Sequence, residues 1–144
     1  LLEIGVYRGD SIRMWSDYNP ELIVHGVDID NNVLNYIQSE KNYNIHIGNA
    51  SDKNFIENEL MNNMSPPHFV IDDGSHNHSD ILESFKVIFP RLLPGSIYFI
   101  EDLHANHANK NVLIRDIYKF IVLNNLKISY TDFYCNDKLW IIKN

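Results

Sequence analysis

Five side chains in two short blocks have the types and spacing to do chemistry. The first block reads Ile71-Asp72-Asp73-Gly74-Ser75-His76 and the second Ile100-Glu101-Asp102-Leu103-His104. Each carboxylate pair closes a short apolar run, one starting at His68 and the other at Ile97. Such runs, bounded by Pro and Gly, read as strands buried on both faces. Between them Ile81, Phe85, Ile88 and Leu92 recur at helical spacing, and Pro94-Gly95 stops the helix. Strand, helix and strand over about 30 residues make a βαβ unit with parallel strands. Neighbouring strands in such a sheet lie ~4.8 Å apart. Asp72, Asp73, Glu101 and Asp102 therefore converge on one sheet edge, with His76 close behind Asp73. Carboxylates that close repel unless a cation or a shared proton intervenes. A hard divalent metal answers that need. Helix caps and solvated loop charges are the plainer alternative.

The rest of the chain must hold that edge in place. With 144 residues it is long enough for one domain with a real core, and 44% apolar content fits a globular fold. No repeat, low-complexity tract or internal boundary interrupts it, so residues 1–144 read as a single domain. The balance of 12 basic against 19 acidic residues, net −7, speaks against nucleic acid as a partner. Cys135 stands alone, which leaves neither a disulfide framework nor a thiolate metal site. No run approaches the ~18 apolar residues of a membrane span, and no leader is visible, so a cytoplasmic location without membrane contact is expected. The chain begins Leu1-Leu2-Glu3, already inside an apparent strand. That reads as a piece of a longer protein lacking its N-terminal elements, with the other domains of the parent chain as further partners.

The first run ends Glu3-Ile4-Gly5-Val6-Tyr7-Arg8-Gly9. Glycines at such a turn let a ligand approach the backbone at a helix N-terminus, and Asp10-Ser11 offers the cap of a helix over Ile12 to Tyr18. Tyr7 stands where the middle glycine of a dinucleotide fingerprint would be, so a nicotinamide enzyme is disfavoured. The second strand, Leu22 to Val27, ends at Asp28-Ile29-Asp30. An acidic residue there accepts hydrogen bonds from ribose hydroxyls; Asp28 is the candidate, and Asp30 caps a helix over Asn31 to Glu40. The third strand, Ile45 to Ile47, closes with Gly48-Asn49-Ala50-Ser51-Asp52. Asn49, Ser51 and Asp52 either read an adenine edge or form a turn and N-cap for a helix over Phe55 to Met64, and both can hold at once. After the central unit come a polar loop with His104 and His107, which line an acceptor site or remain solvated, and an amphipathic helix over Asn111 to Leu126. A hairpin follows, Lys127 to Tyr134 and Lys138 to Ile142, turning at Asn136-Asp137. The fold class is thus α/β, a doubly wound Rossmann-like sheet, mostly parallel, with a C-terminal antiparallel hairpin strand.

The order Glu3-x-Gly5-x-x-x-Gly9, then Asp28, then Gly48-Asn49-x-Ser51-Asp52 resembles a class I S-adenosylmethionine-dependent methyltransferase. The two carboxylate blocks resemble, more narrowly, the metal-dependent O-methyltransferases that act on macrolide sugars, of the macrocin and mycinamicin type. The resemblance implies Mg²⁺ held by Asp73, Glu101 and Asp102, with His76 as general base. It implies S-adenosylmethionine bound by Glu3, Gly5, Gly9, Asp28, Asn49, Ser51 and Asp52, with Asp72 on the cofactor side, and a small-molecule or glycan sugar as acceptor. Histidine is the side chain that titrates nearest neutral pH, which suits a base. A non-catalytic cofactor-binding or interaction domain within a larger protein is the alternative. His76-x-His78-x-Asp80 matches most of a metallo-β-lactamase motif, but Ile81 replaces its last histidine and the glycine-rich first strand is wrong for that fold.

Overall fold

The computed structural model describes residues 1–37, 42–103, 110–134 and 138–144, with backbone alone at 110 and 132–134. Residues 38–40 at the end of the expected second helix, His104 and His107, Cys135, and the turn at Asn136-Asp137 lie outside the described residues.

The chain runs β1 (Leu2–Ile4), α1 (Asp10–Tyr18), β2 (Val24–Asp28), a 3₁₀ turn (Asn31–Asn35), β3 (Tyr43–Ile47), a π-type helix (Phe55–Leu60), β4 (Phe69–Asp72), α2 (His78–Ile88), a 3₁₀ turn (Phe89–Arg91), β5 (Ile97–Ile100), α3 (Lys110–Leu123), β6 (Ile128–Tyr134) and β7 (Lys138–Lys143). Among the described residues the strands form one seven-stranded sheet in the order β3-β2-β1-β4-β5-β7-β6. Pairings from β3 through β5 are parallel; β5–β7 and β6–β7 are antiparallel. The doubly wound α/β sheet with an antiparallel end is therefore as expected. The order reverses between β1 and β4, and the crevice at such a switch point is where open α/β sheets take ligands.

Side-chain alternation divides the core. On one face Leu2, Ile4, Val70, Tyr98, Ile100, Leu139 and Ile141 pack with Ile81, Phe85 and Ile88 of α2 and Ile117 and Ile121 of α3. Phe85 stacks on Phe89 at 4.6 Å and meets Tyr98 edge-on at 5.1 Å. On the other face a smaller group, Val6, Ile12, Val24 and Val33, seats α1. Burial of large apolar side chains stabilises by roughly 1.5–3 kcal/mol each, so the α2–α3 face carries most of the rigidity beneath the carboxylate blocks.

Three local expectations are corrected. The helix over Asn31 to Glu40 is a 3₁₀ turn over Asn31–Asn35: three asparagines in five residues compete with the backbone for hydrogen bonds. Asp30 does cap it, accepting from the Asn32 N–H at 2.9 Å. The helix over Phe55 to Met64 is the wider π form ending at Leu60, closed by Met61 N–H to the Ile56 carbonyl at 2.8 Å. Finally, neither Asp10 nor Ser11 caps α1. Gly9 occupies that position at φ +74°, with no side-chain cap, and the Ser11 hydroxyl donates to Glu3 instead.

Candidate active site

The C-terminal ends of β1, β2 and β4, with the turn after β3, enclose a cleft of about 960 Å³, within the range of cofactor pockets. Its floor depends on one glycine. Gly5 has φ +92°, and a Cβ there would lie 2.3 Å from the Asp73 carbonyl oxygen. Any side chain would push the turns after β1 and β4 apart.

Asp28 organises the same turn from the next strand. Its Oδ2 accepts from Val6 N–H at 2.8 Å and Tyr7 N–H at 2.9 Å, and its Oδ1 from Asp30 N–H at 2.9 Å. Oδ2 is thus fully engaged while Oδ1 retains acceptor capacity for a hydroxyl. Glu3 lines the cleft at 2% exposure and takes the Ser11 hydroxyl hydrogen bond. Burial pushes its carboxyl up to about 7; Ser11 opposes the shift, and the charges of Asp73 and Glu101 add to it.

Asn49 Oδ1 accepts from the Ser51 N–H at 2.9 Å and the Ser51 hydroxyl at 2.8 Å, and both residues line the cleft. Two expected contacts stand back from it. Asp52 spends Oδ1 on Asn54 N–H at 2.8 Å and Phe55 N–H at 3.4 Å, so it acts as a cap. Gly9 supplies the left-handed turn behind the cleft wall, against Ile37.

At the β4–β5 edge, backbone bonds align the two blocks. Asp73 N–H donates to the Ile4 carbonyl and Glu101 N–H to the Asp72 carbonyl, both at 2.9 Å. Asp72 is 3% exposed, and its Oδ2 accepts from the Tyr98 hydroxyl at 2.9 Å. Burial pushes its carboxyl up to about 7, against the hydrogen bonds from Tyr98 and Gly74. Asp72 lines the cleft but is anchored from below by Tyr98, a partner not anticipated from the sequence.

Ligand atoms of Asp73, His76 and Asp102 all lie within 4.8 Å of one another. Burial and then the charge of Glu101 raise the Asp73 carboxyl; His76 lowers it, Asp102 raises it and Lys138 lowers it. His76 and Asp102 sit at φ +56° and +51°, conformations costing of order 1–3 kcal/mol each, which persist where surrounding structure imposes them. Glu101 differs from expectation: its carboxylate pairs with Lys138, while His76 stands in the group of donors. The donor set still fits a hard divalent cation, with two carboxylates in place and a third on the adjoining strand end.

Sheet order, switch-point cleft and carboxylate cluster together define a Rossmann-like fold with a cleft at its switch point beside a group of metal-type donors. The chain belongs to the methyltransferase domain family, whose match spans residues 2–103. It is 34% identical over 114 residues to the 8-demethyl-8-alpha-L-rhamnosyl tetracenomycin-C 2'-O-methyltransferase of Streptomyces olivaceus, covering 74% of this chain and 29% of that protein. It is 33% identical over 110 residues to the demethylmacrocin O-methyltransferase of Streptomyces fradiae, covering 72% and 27%. The MycE methyltransferase of the mycinamycin biosynthetic pathway, solved in complex with Mg and SAH, superposes with a TM-score of 0.83 at 25% identity, over 99% of this chain and 44% of that one. The resemblance to the macrolide sugar O-methyltransferases is borne out. The chain spans less than a third of the length of these curated relatives. Among the described residues no helix is long and apolar enough to cross a membrane.

Proposed function

We propose that this chain forms the cofactor- and metal-binding part of an S-adenosylmethionine-dependent O-methyltransferase acting on a hydroxyl of a sugar or glycoside. The observation that carries the proposal is the Asp73–His76–Asp102 group, lining the same cleft as the Gly5 turn and Asp28. When bound, the divalent ion supplies Lewis-acid polarisation of the hydroxyl, and the sulfonium cofactor supplies the methyl group.

The chain's own residues do the rest. Gly5 and the Val6 and Tyr7 amides, fixed by Asp28, shape the bed for the nucleoside, and the free capacity of Asp28 Oδ1 takes a ribose hydroxyl. Asn49 and Ser51 border the base, while Glu3 and Asp72 face the amino acid end as buried, partly protonated carboxyls. Asp73 and Asp102 hold the cation, with Glu101 as third donor. His76 accepts the hydroxyl proton on a ring nitrogen as the oxygen becomes nucleophilic. No protein nucleophile takes part. A base in place contributes roughly 10²–10⁴-fold, and orientation of the two reactants contributes further.

The test is calorimetric titration of the full-length protein with S-adenosylmethionine, with and without Mg²⁺, followed by methyl transfer to a panel of sugars and glycosides. Cofactor binding with Mg²⁺-dependent transfer is the expected result. Cofactor binding with no transfer to any sugar, and no heat on adding Mg²⁺, would instead mark a non-catalytic cofactor-binding domain.

A further inference from the structure

The β4–β5 carboxylates already have a cation beside them, and it comes from the last strand of the chain. β7 runs antiparallel to β5 with Leu139 opposite Ile100. That register sets Lys138 beside Glu101, the residue that follows β5. The Lys138 ammonium binds Glu101 Oε2 and lies 5.8 Å from the centre of the Phe99 ring, on its face. It also acts on Asp73, whose carboxylate it stabilises together with His76. One lysine thus attends two of the three expected oxygen ligands. Glu101 meanwhile is not part of the Asp73–His76–Asp102 group.

We propose that Lys138 is an intramolecular counter-cation, holding Glu101 out of the donor group until a divalent ion displaces it, and so setting the affinity with which the site loads. The proposal rests on the metal-site reading given above. An ammonium is a hydrated point charge on a flexible stem. The pair is part-exposed, with Lys138 at 33% and Glu101 at 27%, so solvent weakens it and exchange is easy. The two cations exclude each other: a dication ligated by Asp73 and Asp102 would stand close to the ammonium and repel it. Either cation offsets part of the carboxylate charge at the sheet edge, lysine without the ion and the ion more fully once lysine has moved aside. The Phe99 face gives the displaced ammonium an adjacent resting surface.

A purely structural ion pair predicts lower stability on its removal and unchanged cation affinity. A counter-cation moves the two in opposite directions. In the full-length protein, Mn²⁺ binding is read from loss of the free-ion paramagnetic resonance signal for the unmutated protein, K138M and K138R, and melting is followed with and without Mg²⁺. K138M should bind Mn²⁺ about tenfold more tightly and melt earlier without metal, with saturating Mg²⁺ closing the gap. K138R should return the affinity toward the unmutated value. A second measurement needs no variant: in protein labelled at lysine nitrogen, the Lys138 Nζ resonance should shift when Mg²⁺ saturates the site. Equal or weaker Mn²⁺ affinity in K138M, or an Nζ resonance indifferent to Mg²⁺, overturns the role of Lys138 and leaves the metal site standing. No Mn²⁺ binding by any of the three proteins overturns both.

Discussion

The two sides of the cleft are built on opposite electrostatic plans. On the β1–β2–β3 side the groups along the turns find partners within the protein, while Glu3 Oε2 is left without one. Asp28 takes three backbone N–H groups, Asp52 takes two, and Asn49 is tied to Ser51. That side is finished before a ligand arrives, and preorganised polar groups lose little on binding. On the β4–β5 side Asp73, Glu101 and Asp102 crowd one edge, and their mutual repulsion raises the Asp73 carboxyl on top of its burial. Left-handed backbone occurs on both sides, at His76 and Asp102 here and at Tyr7 on the other. The contrast separates recognition of a fixed nucleoside-type shape from storage of negative charge for a cation. On the proposed reading, the second side is the one that answers to a divalent ion and to Lys138.

The largest effect expected is on chemistry alone. His76→Ala should lower turnover in the full-length protein by about 10²–10⁴-fold, leaving S-adenosylmethionine affinity unchanged because His76 is not needed to build the Asp28 turn. Its effect on Mg²⁺ affinity decides its role. The geometry puts His76 among the donors, whereas a hard cation prefers the carboxylates. Near-normal Mg²⁺ binding in the variant establishes His76 as a base. Loss of binding makes it a ligand, and the proton acceptor must then be sought elsewhere.

The next effect tests whether the two sides are separable at all. Gly5 joins them: its N–H donates to the Val27 carbonyl at 2.8 Å, and its Cα faces the Asp73 carbonyl. Gly5→Ala should cost about 3 kcal/mol in urea unfolding, from left-handed strain plus overlap with backbone. It should also weaken both cofactor and Mn²⁺ binding. A variant that loses only cofactor affinity would show the β4–β5 edge to be independent of the turn, and the seam between the two sides would then lie elsewhere.

Much of this was legible in the sequence because it rests on short-range rules. Paired carboxylates after two apolar runs, and a helix between them, suffice to place Asp73 and Glu101 at adjacent strand ends. Glycine spacing and the acid after β2 suffice to place the cleft. What escaped depends on parity and distance. Ser11 reads as a helix cap by type, yet the left-handed Gly9 turn aims its hydroxyl at Glu3, a contact that only the return of α1 over the sheet creates. The Tyr98 hydroxyl reaches Asp72 because both lie on the same face of paired strands. Lys138 looks like an ordinary hairpin charge until β7 is inserted between β5 and β6, a non-sequential placement that brings it to Glu101. The shortened helix after Asp30 failed for a local reason, since its asparagines favour turns over helix.

The smallest effect lies in the sheet beneath the cofactor side and has a definite sign. His25 of β2 is 8% exposed; its Nδ1 is 3.0 Å from His46 Nε2 of β3, with the rings stacked at 5.3 Å. One nitrogen must donate and the other accept, so the pair is neutral when intact. Burial, followed by the neighbouring charge of His46, lowers His25 to about 4, and burial lowers His46 as well. An unfolded histidine titrates at about 6.5, so between these values the unfolded chain binds more protons than the folded one. The stability contributed by the pair is therefore complete above about pH 6.5 and is lost as pH falls toward about 4, amounting to roughly 2 kcal/mol. Glu3 and Asp72, raised to about 7, act in the opposite sense over the same window, so the pair is read as a difference: from about pH 7 down to about pH 4.5 the urea midpoint of His46→Gln should gain on that of the unmutated protein, because glutamine can keep a hydrogen bond to His25 without a charge to repel it. Saturating Mg²⁺ should leave the difference between His46→Gln and the unmutated protein unchanged at these pH values, because the ion acts on the other side of the cleft. An unchanged slope in His46→Gln would show that the pair does not govern the acid response. A difference that changes with Mg²⁺ would show that the two sides share one titration.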